Sequence, residues 1–147
     1  MGFGEAIRNG FNNYVTFSGR AARSEFWFWQ LFVVIVSFIT GAVDGVLFSS
    51  EIGPVNSLVS LALFLPGLAV GARRLHDLDR TGWWLLLYLL PLIGWLVLLV
   101  FFVLRGTEGS NRFGPDPLGG SGPQDWDANM PSQGFHRSSI PRVERKD

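Results

Sequence analysis

Three blocks of apolar residues, at 26–48, 54–72 and 83–104, dominate the chain, with short polar connections between them. The second and third blocks contain no charged residue, and the first contains none before Asp44. A helix needs about 20 residues to cross a hydrocarbon core of about 30 Å, so each block suits one crossing and none suits two. Within lipid every backbone donor and acceptor must be satisfied internally, and blocks of this length do so as helices. The pattern therefore predicts an all-α membrane protein with about three transmembrane helices. The first block starts too far into the chain and runs too long for a cleaved signal peptide, so it reads as an uncleaved anchor.

Ahead of it, Phe3, Ile7, Phe11 and Tyr14 recur at helical spacing, while Glu5, Arg8, Asn9 and Asn12 occupy the other faces. This predicts a short amphipathic helix, lying either in the membrane surface or against the protein itself. Beyond Gly106 the apolar blocks end, and Gly119-Gly120-Ser121-Gly122-Pro123 opens a polar stretch without periodicity. The expectation is one integral membrane domain over residues 1–117 and a disordered tail over 118–147.

Charge supplies an orientation. Arg8, Arg20 and Arg23 precede the first block, and Arg73, Arg74 and Arg80 sit between the second and third, whereas residues 49–53 carry only Glu51. By the positive-inside tendency the amino terminus and the arginine loop face the cytoplasm, with Trp27, Trp29, Trp83 and Trp84 in one interfacial belt. A full third crossing then places the tail outside. Pro91 and Gly94 in mid-block, and Arg105 and Arg112 after it, leave a re-entrant hairpin as the alternative. The full crossing is preferred because broken backbone at membrane depth needs protein or water around it.

Composition narrows the function classes. With 147 residues there is room for one domain, and a formal net charge of zero argues against a nucleic-acid binder. No cysteine is present, which removes disulfides and thiolate metal sites.

The densest polar cluster runs from Arg73 to Trp84. If the second helix continues through it, Arg73, Asp77 and Arg80 share a face and pair with one another, while Thr81 caps the third helix. Three readings stand: a helix end with interfacial charges, a site for an anionic headgroup or partner, or metal or acid–base chemistry at His76, Asp77 and Asp79. The spacing of those three matches no specific metal site. Asp44 reads either as a buried functional carboxylate or as a residue already at the outer interface. Gly41 and Gly45, and Gly67 and Gly71, have the four-residue spacing that lets helix backbones approach, which leaves self-association through them open. On this reading a bulky residue at Gly67 does more harm than one at Gly53, expected in a loop. Pro66 and Pro91 deprive the carbonyls of Ala62 and Leu87 of their helical donors and predict kinks.

Three segments carry a resemblance. They are Phe17-Ser18-Gly19-Arg20-Ala21-Ala22-Arg23-Ser24-Glu25-Phe26-Trp27, then Arg73-Arg74-Leu75-His76-Asp77 with Gly82-Trp83-Trp84, and Gly106-Thr107-Glu108-Gly109-Ser110-Asn111-Arg112-Phe113-Gly114-Pro115. Together they resemble the small bacterial inner-membrane family catalogued as domain of unknown function 805, over roughly residues 11–117. The resemblance implies a multi-pass protein of the bacterial inner membrane and lends no activity. It makes Arg20, Arg23, Glu25, Arg73, Arg74, His76, Asp77, Asn111 and Arg112 candidates for one shared polar site.

No Ser–His–acid set, phosphate-cradling glycine loop or zinc-protease motif occurs. The expected function is a non-catalytic membrane component that binds lipid headgroups or other membrane proteins, without cofactor, metal or nucleic acid. The alternative is a membrane-embedded enzyme or small transport unit built on His76 and Asp77.

Overall fold

The computed structural model describes residues 1–48 and 53–119. Most of the expected 49–53 connection and almost all of the expected tail at 118–147 lie outside the described residues. The described chain is helical: α1 (Phe3–Asn12), α2 (Arg23–Leu47), α3 (Pro54–Asp77), a 3-10 helix (Gly82–Leu89) and α4 (Ile93–Val103).

α2 and α3 are the two elements long and apolar enough to cross a bilayer. Their outward faces are largely apolar: Phe38 is 79% exposed on α2 and Leu61 70% on α3, where Ser57 and Ser60 are exposed as well. An extended apolar surface of this kind belongs in lipid, not water. The protein is thus an all-α membrane protein, as the blocks predict.

Asp44 joins the C-terminal end of α2 to the N-terminal end of α3. Its carboxylate, 3% exposed, accepts the backbone N–H groups of Val55 (3.0 Å) and Asn56 (2.7 Å) in the first turn of α3. A carboxylate satisfies the orphan donors of a helix start and complements its dipole. Pro54 opens α3, at the position where a missing N–H costs nothing. Both oxygens of Asp44 are thus engaged in capping α3.

At its other end α3 stops at Asp77. The N–H of Asp79 returns to the His76 carbonyl (2.9 Å) and that of Arg80 to the Leu75 carbonyl (3.0 Å), with Asp79 at a φ of 56°. This is the paired-bond, left-handed helix stop for which Asp is tolerated after Gly and Asn. The stop breaks the expected face of Arg73, Asp77 and Arg80: Arg80 leaves the helix and stacks on Phe101, its guanidinium carbon 4.6 Å from the ring centroid. Thr81 does sit at the cap position of the next element, but its side chain makes no capping bond.

The third block is helical but not one helix. Eight residues of 3-10 helix reach roughly 16 Å and the eleven of α4 about the same, each near half of the hydrocarbon thickness. They are joined at Leu90–Leu92, where Leu92 has a φ of 65°. Gly94 then passes so close to the Leu87 carbonyl that no side chain fits. Pro91 thus lies in a reversal, not in a kinked span. The block starts beside α3, with Gly82 against Ala72 and His76, and it finishes beside α3, with Arg74 on the carbonyls of Phe102 and Leu104. Both ends of the hairpin lie at the C-terminal end of α3.

α1 is the predicted amphipathic helix, and it packs on the protein. Gly10 leaves no gap against the ring of Trp29, and Phe11 meets Trp29 edge-on at 5.4 Å. Trp29 is fully buried, so it is part of the core with Phe26, Leu63 and Val70 and not of an interfacial belt. The glycine pairs also divide. Gly71 faces Leu85 at 3.3 Å from where a Cβ would stand, whereas Gly41 and Gly45 face open space. Gly53, expected to be permissive, is pressed against Asp44, while at Gly67 an added Cβ would meet only Trp29 Nε1 at 3.8 Å.

Candidate functional site

Seven of the nine polar residues marked by the sequence motifs gather at the C-terminal end of α3. Arg20 arrives from the turn before α2, Glu25 from the first turn of α2, Arg73, Arg74, His76 and Asp77 from the last turns of α3, and Asn111 from the loop after α4. All but Asn111 are buried, and Arg74 is fully enclosed.

Asp77 is the hub. Oδ1 accepts from Arg20 through Nε (3.0 Å) and Nη2 (2.8 Å), a forked contact that only a guanidinium provides. Oδ2 accepts from Arg74 Nη1. Each arginine then spends its remaining donors on backbone carbonyls. Arg20 reaches Thr107, Gly109 and Gly114. Arg74 reaches Phe102 (3.4 Å) and Leu104 at the end of α4. Carbonyls at a helix C-terminus lack partners and carry partial negative charge, so buried guanidinium is well matched to them.

The same economy closes the end of α3. The Arg73 carbonyl accepts the Ala21 N–H (2.9 Å), the His76 carbonyl accepts Asn111 Nδ2 (2.8 Å), and the Asp77 carbonyl accepts both the N–H (2.7 Å) and the hydroxyl (2.9 Å) of Thr107. The loop after α4 is in this way bound residue by residue to the terminus of α3. Gly106 is indispensable here: a Cβ at that position would collide with the Asp77 carboxylate.

A second pair lies beside the first. Arg73 Nη1 is 2.9 Å from Glu25 Oε1, which also accepts Asn9 Nδ2 at 2.7 Å and so brings α1 into the cluster. Arg73 Nε and Nη2 are buried without a partner among the described residues. His76 is held by its surroundings: Nδ1 is 3.0 Å from the Gly19 carbonyl, and the ring stacks on Phe113 at 4.0 Å and 1°. A carbonyl can only accept, so Nδ1 carries the proton.

The other two candidates stand outside. Arg23 is exposed and makes a long bond of 3.3 Å to the Val103 carbonyl. Arg112 forms an exposed pair with Asp79 at 3.1 Å and donates to its carbonyl at 2.8 Å. Asp77, Asp79 and His76 turn to different partners, and no group of three His, Cys, Asp or Glu residues arranged to hold a metal ion occurs among the described residues.

Asn9, Gly106, Thr107 and Phe113 were not among the site residues expected from sequence. Gly106, Thr107 and Phe113 do fall inside the third motif segment, so its extent was the available signal. Asn9 offered none, because a polar residue on an amphipathic helix reads as solvated.

A family model described as protein of unknown function (DUF805) matches residues 14–115, which takes in Arg20, Arg74, Asp77 and Thr107 but not α1. The inner membrane protein YhaI of Escherichia coli is 53% identical over 109 residues, covering 74% of this chain and 92% of the relative. The inner membrane protein YhaH of Escherichia coli is 47% identical over 108 residues, covering 71% and 89%. No solved structure matches the chain. With the family model spanning most of the chain and relatives covered almost end to end, the chain belongs to the DUF805 family of proteins of unknown function.

Proposed function

We propose that this is a non-catalytic component of the bacterial inner membrane whose cytoplasmic face holds anionic lipid headgroups, while its buried charges serve to fasten the fold. The observation that carries this reading is Asp77: both its oxygens are occupied by guanidinium groups that are themselves buried. An acid–base or transport site needs a group free to exchange a proton or a ligand. Asp77 is saturated, and His76, whose Nδ1 donates to the Gly19 carbonyl, has no carboxylate bonded to its ring among the described residues, so the enzyme or transporter alternative lacks a catalytic pair.

In this reading the motif arginines divide by task. Arg20, Arg73 and Arg74 are internal. The charges left for headgroups are exposed Arg23, Arg80 and Arg105, the last in a solvent-exposed pair with Glu108 at 2.6 Å, with exposed Trp27, Trp83 and Trp84 near the same end. Tryptophan and arginine together favour the interface, and each basic residue near an anionic surface contributes about 1 kcal/mol. The positive-inside tendency then puts this end in the cytoplasm, with α2 and α3 crossing the bilayer and the 82–103 hairpin entering and leaving on the cytoplasmic side.

The test is lipid retention. The purified chain in mild detergent is titrated with dioleoylphosphatidylglycerol and dioleoylphosphatidylcholine and read by native mass spectrometry. The anionic lipid should bind more tightly, and Arg23→Gln, Arg80→Gln and Arg105→Gln should each erode the preference by about fivefold or less. Equal binding of the two lipids by the unaltered chain contradicts the headgroup reading.

A further inference from the structure

A cleft of about 970 Å³ lies between α2, α3 and the 3-10 helix. Its walls are mostly aliphatic and aromatic, with Gln30, Ser60 and His76 among the polar residues that line it, and Phe64, Leu86 and Leu89 are themselves exposed on the outer surface. Its volume is in the range of small-molecule sites, about 300–1,000 Å³. One feature separates it from a plain gap between helices. Trp29, fully buried, borders the cleft, and its indole Nε1–H has no hydrogen-bond partner among the described residues.

Buried tryptophan N–H groups ordinarily find an acceptor, and in a bilayer there is no water to supply one. Gly10, Phe11 and Phe32 pack against the ring and hold it in place. In front of the donor stands Gly67, where even a Cβ would be 3.8 Å from Nε1. The indole therefore presents an unpaired donor at the wall of the cleft.

We propose that this cleft takes an acyl chain of a membrane glycerophospholipid and that the ester carbonyl of that chain accepts the Trp29 Nε1–H bond. The chemistry selects this occupant. Indole N–H donates only, so it fits an acceptor; a carboxylate would bring a charge into an apolar cleft at high cost, whereas an ester carbonyl is neutral. The hydrocarbon following the carbonyl matches the aliphatic walls. The headgroup plays no part in the contact, so this inference stands apart from the arginine reading.

The full chain in mild detergent, followed by native mass spectrometry, supplies the test. Dioleoylphosphatidylcholine is compared with its diether analogue, which has the same headgroup and chains but no carbonyl. The unaltered protein should hold the diester roughly five- to tenfold more tightly, the worth of one hydrogen bond. Trp29→Phe should abolish that preference. Gly67→Val, which fills the space before Nε1, should abolish it too and serves alone if Trp29→Phe fails to fold. Equal affinity of the unaltered protein for the two lipids overturns the proposal, as does an ester preference that survives either substitution.

Discussion

Tyr14 donates its hydroxyl to the carbonyl of Ala62. That carbonyl belongs to the residue four before Pro66, which has no N–H to give it. A side chain from the end of the amino-terminal segment thus repairs the break that a proline makes in a membrane helix. Tyr14→Phe should lower the thermal stability of the detergent-solubilised protein by about 1 kcal/mol, the usual worth of such a bond. In a Pro66→Ala background the helix supplies its own donor, and the same substitution should cost clearly less. Equal losses in both backgrounds would remove the link between the two residues.

The Asp77 hub predicts sharp differences among arginines that look alike in sequence. Removing one partner of a buried ion pair typically costs about 3–5 kcal/mol. Asp77→Asn and Arg20→Lys should fall near that range, the latter because lysine cannot reproduce the fork. The double variant should lose much less than the two losses added together, since both act on one network. Arg23→Lys, at an exposed site, should stay within about 0.5 kcal/mol of the parent. Chemical denaturation in a fixed detergent measures all four.

Glycines give a second ranking. Gly94→Ala and Gly106→Ala should be the most damaging, because the added methyl group meets the Leu87 carbonyl in the first and the Asp77 carboxylate in the second. Gly53→Ala should cost more than Gly67→Ala, since only the former intrudes on the Asp44 cap. Gly41→Ala and Gly45→Ala should be neutral or stabilising in the isolated protomer, given open space and the better helix propensity of alanine. Melting temperatures of the set, compared in one detergent, test the order.

Much of this architecture is legible in the chain because lipid imposes a simple code. Length and apolarity identify α2 and α3, and the spacing of Phe3, Ile7 and Phe11 identifies α1. The hairpin is harder. An apolar block records that its residues avoid water but not the direction in which they run, so Pro91 and Gly94 mark a break without saying whether the chain turns back. The motif residues name the cluster, yet local spacing assigns the wrong partners. Pairing Arg73 with Asp77 assumes one continuous helix and nothing else nearby, whereas Glu25 and Arg20 come from another element and take them apart. Trp29 shows a similar confusion. Position near a block end suits an interfacial belt, but it lies one helical turn after Glu25, on the face that α2 turns inward. Contacts between distant segments, such as Thr107 with Asp77, leave no periodic trace.

The closed cluster requires the third apolar block to return to the side from which it started, and this is measurable in a chain that contains no cysteine. Single cysteines at Phe48, Thr81 and Glu108 are labelled in cells with a membrane-impermeant maleimide, before and after permeabilisation. The account predicts that Thr81→Cys and Glu108→Cys react only after permeabilisation and Phe48→Cys reacts beforehand. Labelling of Glu108→Cys from outside, with Thr81→Cys still protected, would mean that the third block crosses the membrane and would contradict the account.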